Sequence, residues 1–147
     1  MDAEQLCSQL AAKGYKMTNS RRKILNSMAS EPDWMTAKSL HDKLLQQNVH
    51  IDLSTICRNL DMMYGLNMLC RVDKERNGTF AYRLQDMQNH HHHLICLSCG
   101  TIVPLEYCPL EELQERQTKG FSDLECQFEV YGYCQACQRA VKKPAER

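Results

Sequence analysis

Apolar residues recur every three or four positions in the first part of the chain and every second position soon after. That change of period is what organises the chain. Leu6, Leu10 and Ala11 share one face of a predicted helix over residues 3–13, which Gly14 ends. Ile24, Leu25 and Met28 repeat at helical spacing behind Thr18 or Asn19, either of which can cap. Thr36 caps a third helix through Leu40, Leu44 and Leu45, and Ser54 a fourth, with Ile56, Leu60 and Met63 as its buried stripe and Gly65 at its end. Residues 68–73 and 79–84 are short alternating or apolar runs, and Asn77-Gly78 between them is the strongest short hairpin signal. Short helices followed by a hairpin predict a winged helix-turn-helix over residues 1–84; a small helical domain with an appended hairpin fits the same pattern.

The second part alternates short strands with one helix. Residues 92–97 and 101–105 read as strands around a turn, 109–119 as a helix opened by Pro109 and by Glu111 and Glu112, and 124–133 as a partly alternating strand. Residues 138–147 form a charged tail expected to fray. The predicted class is α+β: a winged-helix domain, a hinge over 85–89, and a small α/β domain over 90–147.

Composition sharpens this division. A chain of 147 residues holds one ordinary domain or two small ones, and 43% hydrophobic with 24% charged residues exclude a disordered or fibrous chain. No apolar run reaches the roughly 18 residues of a membrane span, and the polar N-terminus lacks a signal peptide's apolar core; a cytoplasmic location and no membrane partner are expected. The 18 basic and 18 acidic residues cancel overall. Residues 1–85, however, carry 12 Lys+Arg against 9 Asp+Glu, and residues 86–147 carry 6 against 9. A basic module therefore precedes an acidic one.

A basic winged helix points to DNA. With residues 54–64 as recognition helix, its exposed N-terminal positions Ser54, Thr55, Cys57, Arg58 and Asn59 would meet the duplex. Arg58 can fork to a phosphate or a guanine edge and Asn59 can read adenine, while Lys16, Arg21 and Arg22 would contact backbone. A solvated basic face is the bland alternative for Arg21 and Arg22.

Nine cysteines cannot all pair within one chain, and a reducing compartment would keep them as thiols. Cys96-Leu-Ser-Cys99 and Cys134-Gln-Ala-Cys137 are two C-x-x-C pairs, which together offer the four thiolates of a structural zinc site. An iron–sulfur cluster uses the same donors, whereas a thioredoxin-like site would need a βαβ unit that the pattern lacks. Four consecutive histidines, His90 to His93, lead into the first pair. On a strand, alternation sends His90 and His92 to one face and His91 and His93 to the other, which predicts two back-to-back sites. An expression tag or a fortuitous polar tract is the alternative.

His-His-His-His-Leu-Ile-Cys-Leu-Ser-Cys-Gly (90–100), Tyr-Gly-Tyr-Cys-Gln-Ala-Cys (131–137), Gly-Tyr-Lys-Met-Thr-Asn-Ser-Arg (14–21) and Ser-Thr-Ile-Cys-Arg-Asn-Leu (54–60) together resemble the ferric uptake regulator family of bacterial metal-dependent repressors. The likeness runs from Gln5 to Gln138, and the histidine run with Leu-Glu-Tyr-Cys-Pro-Leu-Glu-Glu-Leu (105–113) looks most like the zinc uptake regulator branch. The resemblance implies a winged helix followed by an α/β dimerisation domain, a homodimer, and a palindromic operator as DNA partner. It implies one structural Zn2+ per chain on Cys96, Cys99, Cys134 and Cys137, and one or two regulatory Zn2+ ions. The first regulatory site maps to His90, His92, Glu111 and Cys126, the last standing where the family usually has His. The second, at the hinge, maps to His91 and His93 with Cys70, Gln85, Asp73 or Asp86 as candidate partners. Trp34 stands where iron sensors often carry a hinge His and Arg83 near where they carry Glu; Gln85 stands where the zinc branch often has Cys, and Cys57 where the recognition helix usually has Tyr.

A soft thiolate at position 126 favours Zn2+ over Fe2+ or Mn2+, and missing Asp ligands disfavour iron-based peroxide sensing. Cys7 and Cys108 read as buried small side chains, Cys108 also as a secondary candidate ligand or redox thiol. The implied function is repression of zinc-uptake genes with zinc as corepressor. Rivals are the same fold sensing iron, manganese, nickel or peroxide, a zinc-dependent enzyme, and a metal-storage protein. No His-Glu-x-x-His or deaminase-type motif is present, so no enzymatic activity and no small organic substrate are expected.

Overall fold

A computed structural model describes residues 3–85, 92–113 and 115–139, apart from the side chains of residues 111, 115 and 116. The chain divides into two compact units, Met1–Gln88 and Asn89–Arg147. In the first, the helical period produces four helices that turn their apolar stripes inward. α1 (Ala3–Ala12) buries Leu6 and Leu10, α2 (Asn19–Ala29) Ile24, Leu25 and Met28, α3 (Ala37–Gln46) Leu40 and Leu44, and α4 (Leu53–Gly65) Ile56, Leu60 and Met63. Thr18 caps α2 by accepting from the Arg21 amide at 3.2 Å, and Thr36 caps α3 by accepting from the Ser39 amide at 3.0 Å.

The cap of α4 is Asp52, which corrects the expectation of Ser54. The Asp52 carboxylate accepts from the Thr55 amide at 2.8 Å and the Thr55 hydroxyl at 2.6 Å, and it also takes the Ser54 hydroxyl. A carboxylate suits the positive end of the helix dipole better than a hydroxyl. Hydrogen bonds from Ser54 and Thr55 hold it well below the usual carboxylate range.

A small antiparallel sheet closes the unit in the order β1-β3-β2, from β1 (Met35–Thr36), β2 (Leu69–Asp73) and β3 (Phe80–Leu84). β1 is too short to leave a periodic signal in the sequence. The hairpin closes at Asp73–Phe80, so residues 74–79 form a longer loop than a two-residue Asn-Gly turn. The Asp73 carboxylate gathers that loop by accepting from the amides of Asn77 at 3.2 Å and Gly78 at 2.8 Å. Gly78 adopts φ +82°, a left-handed conformation that favours glycine. On the hairpin the Arg71 guanidinium lies 4.0 Å from the Tyr64 ring centroid and 4.1 Å from that of Phe80.

The second unit is built on a sheet in the order β5-β4-β6, from β4 (His92–Cys96), β5 (Ile102–Leu105) and β6 (Glu129–Gly132). β4 is central, antiparallel to β5 and parallel to β6. The helix expected over 109–119 is broken into a 3-10 turn (Pro109–Glu112) and a short α5 (Glu115–Thr118). Leu113 between them is extended (ψ 124°) and more than two-fifths exposed, so among the described residues of the segment no fully buried side chain holds a longer helix. The strand expected over 124–133 contracts to β6, leaving residues 121–128 irregular. A short α6 (Gln135–Gln138) follows. Leu94, Val103 and Val130 stand in register across the three strands and are all exposed. Among the described residues no helix is long and apolar enough to cross a membrane.

Candidate metal centres and DNA-facing helix

Sheet pairing in the second unit places chemistry at both ends of β4. At its C-terminal end, the parallel register sets Cys96 beside Gly132, so the chain leaving β6 delivers Cys134 and Cys137 to the turn that carries Cys96 and Cys99. The turn is fixed by the Gly100 amide donating to the Cys96 carbonyl at 2.9 Å, with Gly100 at φ +70°. The four sulfurs lie within 4.8 Å of one another. Cys99 Sγ and Cys134 Sγ are 3.8 Å apart, which is about the edge of a sulfur tetrahedron whose metal bonds are about 2.3 Å. The Cys134 amide donates to Cys96 Sγ at 3.3 Å and Thr101 Oγ1 lies 3.0 Å from Cys99 Sγ.

These contacts favour thiolate. Amide hydrogen bonds, first from Cys134 and then from Cys99, bring the Cys96 thiol down to about 6, and the Thr101 hydroxyl lowers that of Cys99. Ser98 donates to Cys137, but the neighbouring thiols, Cys134 foremost, push it up to about 11. Four thiolates this close require a cation to ionise together. The donor set and its geometry fit a structural zinc ion.

The N-terminal end of β4 carries a second cluster. His92 pairs with Leu105, so β5 ends where His92 stands, and the parallel register His93–Glu129 brings the start of β6 to the same place. His92, Cys108 and Cys126 there offer ligand atoms within 4.8 Å of one another. The Phe128 ring stacks on His92 at 3.9 Å between centroids and 25° between planes. Burial, and then the neighbouring Cys108, push the Cys126 thiol up. His92 and Cys126, linked in the sequence by resemblance alone, are therefore neighbours. Cys108, only a secondary candidate ligand on the sequence, stands with them. Its signal was positional: it lies three residues beyond the strand that pairs with His92. His90 and the side chain of Glu111 lie outside the described residues.

Strand alternation sends His93 to the face opposite His92, and His93 is buried. Its expected hinge partner His91 lies outside the described residues. Cys70, on β2, is half-buried with its thiol raised by burial against the pull of Arg83. The Gln85 amide donates to the Met68 carbonyl at 3.0 Å. Trp34 and Arg83, the positions that depart from the iron-sensor pattern, meet each other: the guanidinium lies 5.1 Å from the indole centroid.

On α4, Ser54 and Arg58 are exposed, Thr55 and Cys57 are half-buried, and Arg58 donates to the Ser54 carbonyl and hydroxyl at 3.3 Å each. Asn59 corrects the expectation of an exposed base reader. It is 8% exposed, its Nδ2 donates to the Thr55 carbonyl at 2.8 Å, and its Oδ1 accepts from Arg21 Nε at 2.9 Å. One α-helical turn past Thr55, it faces α2 instead of solvent. Arg21 also donates to the Lys16 carbonyl, so part of its guanidinium holds α2 to α4, while the Lys16 side chain is exposed.

A winged helix followed by a sheet module that gathers thiols and a histidine at the two ends of one strand defines a metal-binding DNA regulator. The ferric uptake regulator family model matches residues 12–131, and the chain belongs to that family. It is 31% identical over 143 residues to the ferric uptake regulation protein of Synechococcus elongatus, covering 95% of this chain and 97% of that one. Among solved structures it is similar to the ferric uptake regulator of Francisella tularensis with iron, at TM-score 0.67 and 25% identity over 85% of this chain and 96% of that one. It is also similar to a zinc-bound manganese uptake regulator, at TM-score 0.57 and 26% identity over 91% of this chain and 99% of that one. Members of the family are metal-responsive transcriptional regulators that bind DNA as dimers; they are not enzymes.

Proposed function

We propose that this chain is a cytoplasmic, homodimeric repressor of zinc-uptake genes that takes Zn2+ as corepressor and binds a palindromic operator. The observation that carries the reading is the meeting of Cys126 with His92 at the end of β4. A thiolate beside an imidazole suits Zn2+, whereas Mn2+ and Fe2+ are better served by harder oxygen and nitrogen donors. His90 and Glu111 are further candidate ligands from the family pattern. A hinge ion would draw on His91 and His93 with Cys70 and Gln85, but the Trp34–Arg83 contact fills two positions where iron sensors often carry ligands. The His92 site is therefore the one on which the reading rests.

His92, on a central strand, and Cys126, on an irregular segment, are distant in sequence; a cation they share ties that segment to the sheet. Such a tie shifts a population only if it is stronger in the DNA-competent arrangement than in the other. Ser54 and Arg58 lead the DNA-facing surface, Thr55 and Cys57 flank them, and Lys16 supplies a backbone contact. The exposed stripe Leu94–Val103–Val130 supports pairing of two copies, because one chain leaves that apolar face in water.

The test is operator binding at buffered free Zn2+, Fe2+ and Mn2+, using duplexes selected from a random library with Zn2+ present. Zn2+ should support binding at far lower free concentration than the other two, with affinity falling steeply with salt. Equal or stronger support by Fe2+ or Mn2+ would overturn zinc as the signal.

A further inference from the structure

We propose that Cys108 is a ligand of the regulatory ion and, with Cys126 and His92, makes that site a two-thiolate, one-imidazole centre selective for a soft divalent cation. The proposal rests on the reading of His92 and Cys126 as regulatory ligands and assigns the residue that sets which cation they accept.

Backbone geometry brings Cys108 to the site. β5 ends at Leu105 opposite His92, and the chain continues to an extended Cys108 (φ −126°, ψ 118°). Pro109 then fixes the start of the 3-10 turn. A residue preceding proline is held extended by sterics, so Cys108 is placed by its backbone, as a short side chain must be to serve as a ligand. Its Sγ lies within 4.8 Å of both the Cys126 sulfur and a His92 ring nitrogen. Cys126 arrives from the irregular segment before β6, where no ladder hydrogen bonds fix the strand pleat.

Charge gives a second argument. His92 is 3% exposed and Phe128 stacks on it, so an ion bound there is largely removed from water. An uncompensated charge in such a place is costly. Two thiolates and a neutral imidazole cancel a divalent cation by themselves, whereas a single thiolate would leave one positive charge for a carboxylate such as Glu111 to cancel. The neutral set needs only a neutral fourth donor. Two sulfurs also raise the preference for Zn2+, Co2+ or Cd2+ over Mn2+ above what one sulfur gives.

Full-length protein with its four-cysteine site loaded with Zn2+ is titrated with Co2+, whose sulfur-to-metal charge-transfer band reports thiolate ligands at the second site. Cys108→Ser and Cys126→Ser should each lower that band by about half, and the double variant should abolish it. Zn2+ affinity should fall at least ~10-fold in Cys108→Ser, as losses around metal ligands do. Cys108→Asp should move the Zn2+ to Mn2+ affinity ratio toward Mn2+. Zinc content and circular dichroism identify a variant that fails to fold. If Cys108→Ser is such a variant, the wild-type band against that of Cys126→Ser and the Cys108→Asp selectivity decide the matter. An unchanged band and unchanged Zn2+ affinity in folded Cys108→Ser overturn the assignment, even if operator binding is zinc-dependent. A two-thiolate band with zinc-independent operator binding supports the assignment and overturns the proposed function instead.

Discussion

Among the described large aliphatic side chains, the first unit closes off Leu6, Leu10, Ile24, Leu25, Met28, Leu40, Leu44, Ile56, Leu60, Met63 and Leu69 almost completely, while the second does so for Ile95. The exposed large apolar side chains lean the other way: Leu94, Leu97, Val103, Tyr107, Leu113, Phe121, Leu124, Val130 and Tyr133 belong to the second unit, and Tyr15, Leu45 and Leu53 to the first. Both units must offset the conformational entropy of ordering a chain, about 1–2 kcal/mol per residue for the backbone. The first does so by burying apolar surface. The second buries little apolar surface among the described residues, and its candidate metal ligands stand where a core is missing: four thiols at one end of β4, two thiols and an imidazole at the other. A DNA reader with its own core is expected to stay folded whatever the metal supply. A sensor whose folding leans on metal is responsive to it by construction.

Removing metal should break this contrast most visibly. Binding of a structural zinc is worth about 10–16 kcal/mol in small zinc domains, far more than the open core of the second unit can replace. Treating the full-length protein with a strong chelator should open residues 92–139 to proteolysis and leave residues 3–85 resistant. Simultaneous cleavage of both units would show that they do not stand independently. A smaller effect separates the two kinds of apolar residue. Leu60→Ala should destabilise the first unit by about 2–5 kcal/mol, read from its thermal or denaturant transition. Leu94→Ala should change the stability of a metal-loaded chain by no more than about 0.5 kcal/mol, yet raise the dimer dissociation constant in sedimentation. If Leu94→Ala unfolded the chain without altering dimerisation, the exposed stripe would not be an interface.

A further test within the first unit concerns the corrected helix residue. Asn59→Ala removes the acceptor for Arg21 and should cost about 1–3 kcal/mol of stability in the first unit. A loss of operator affinity at unchanged stability would return Asn59 to the role of base reader.

Much of the first unit was legible because its signals are local. A stripe such as Ile56–Leu60–Met63 has one way to be buried, and Thr18 and Thr36 cap the helices that follow them. The cap of α4 was misread because Ser54 and Asp52 both have the chemistry, and only the backbone says which one stands outside the helix. Asn59 was misread because an α4 position between two faces is assigned by what packs against it, here α2 through Arg21. In the second unit, the period over residues 109–119 suggests one helix, but the backbone turns extended at Leu113 and splits it in two.

The sequence by itself determined the helices of the reader, the charge division between the modules, and the four thiols at 96, 99, 134 and 137, because periodicity and C-x-x-C spacing are properties of neighbouring residues. Only the tertiary structure decided that β6 runs parallel to β4, and with it where everything else converges. That pairing places the chain beyond β6 at one end of β4 and the chain before it at the other. Cys126 and Cys108 reach His92 through strand pairing, a long-range contact that no local pattern encodes.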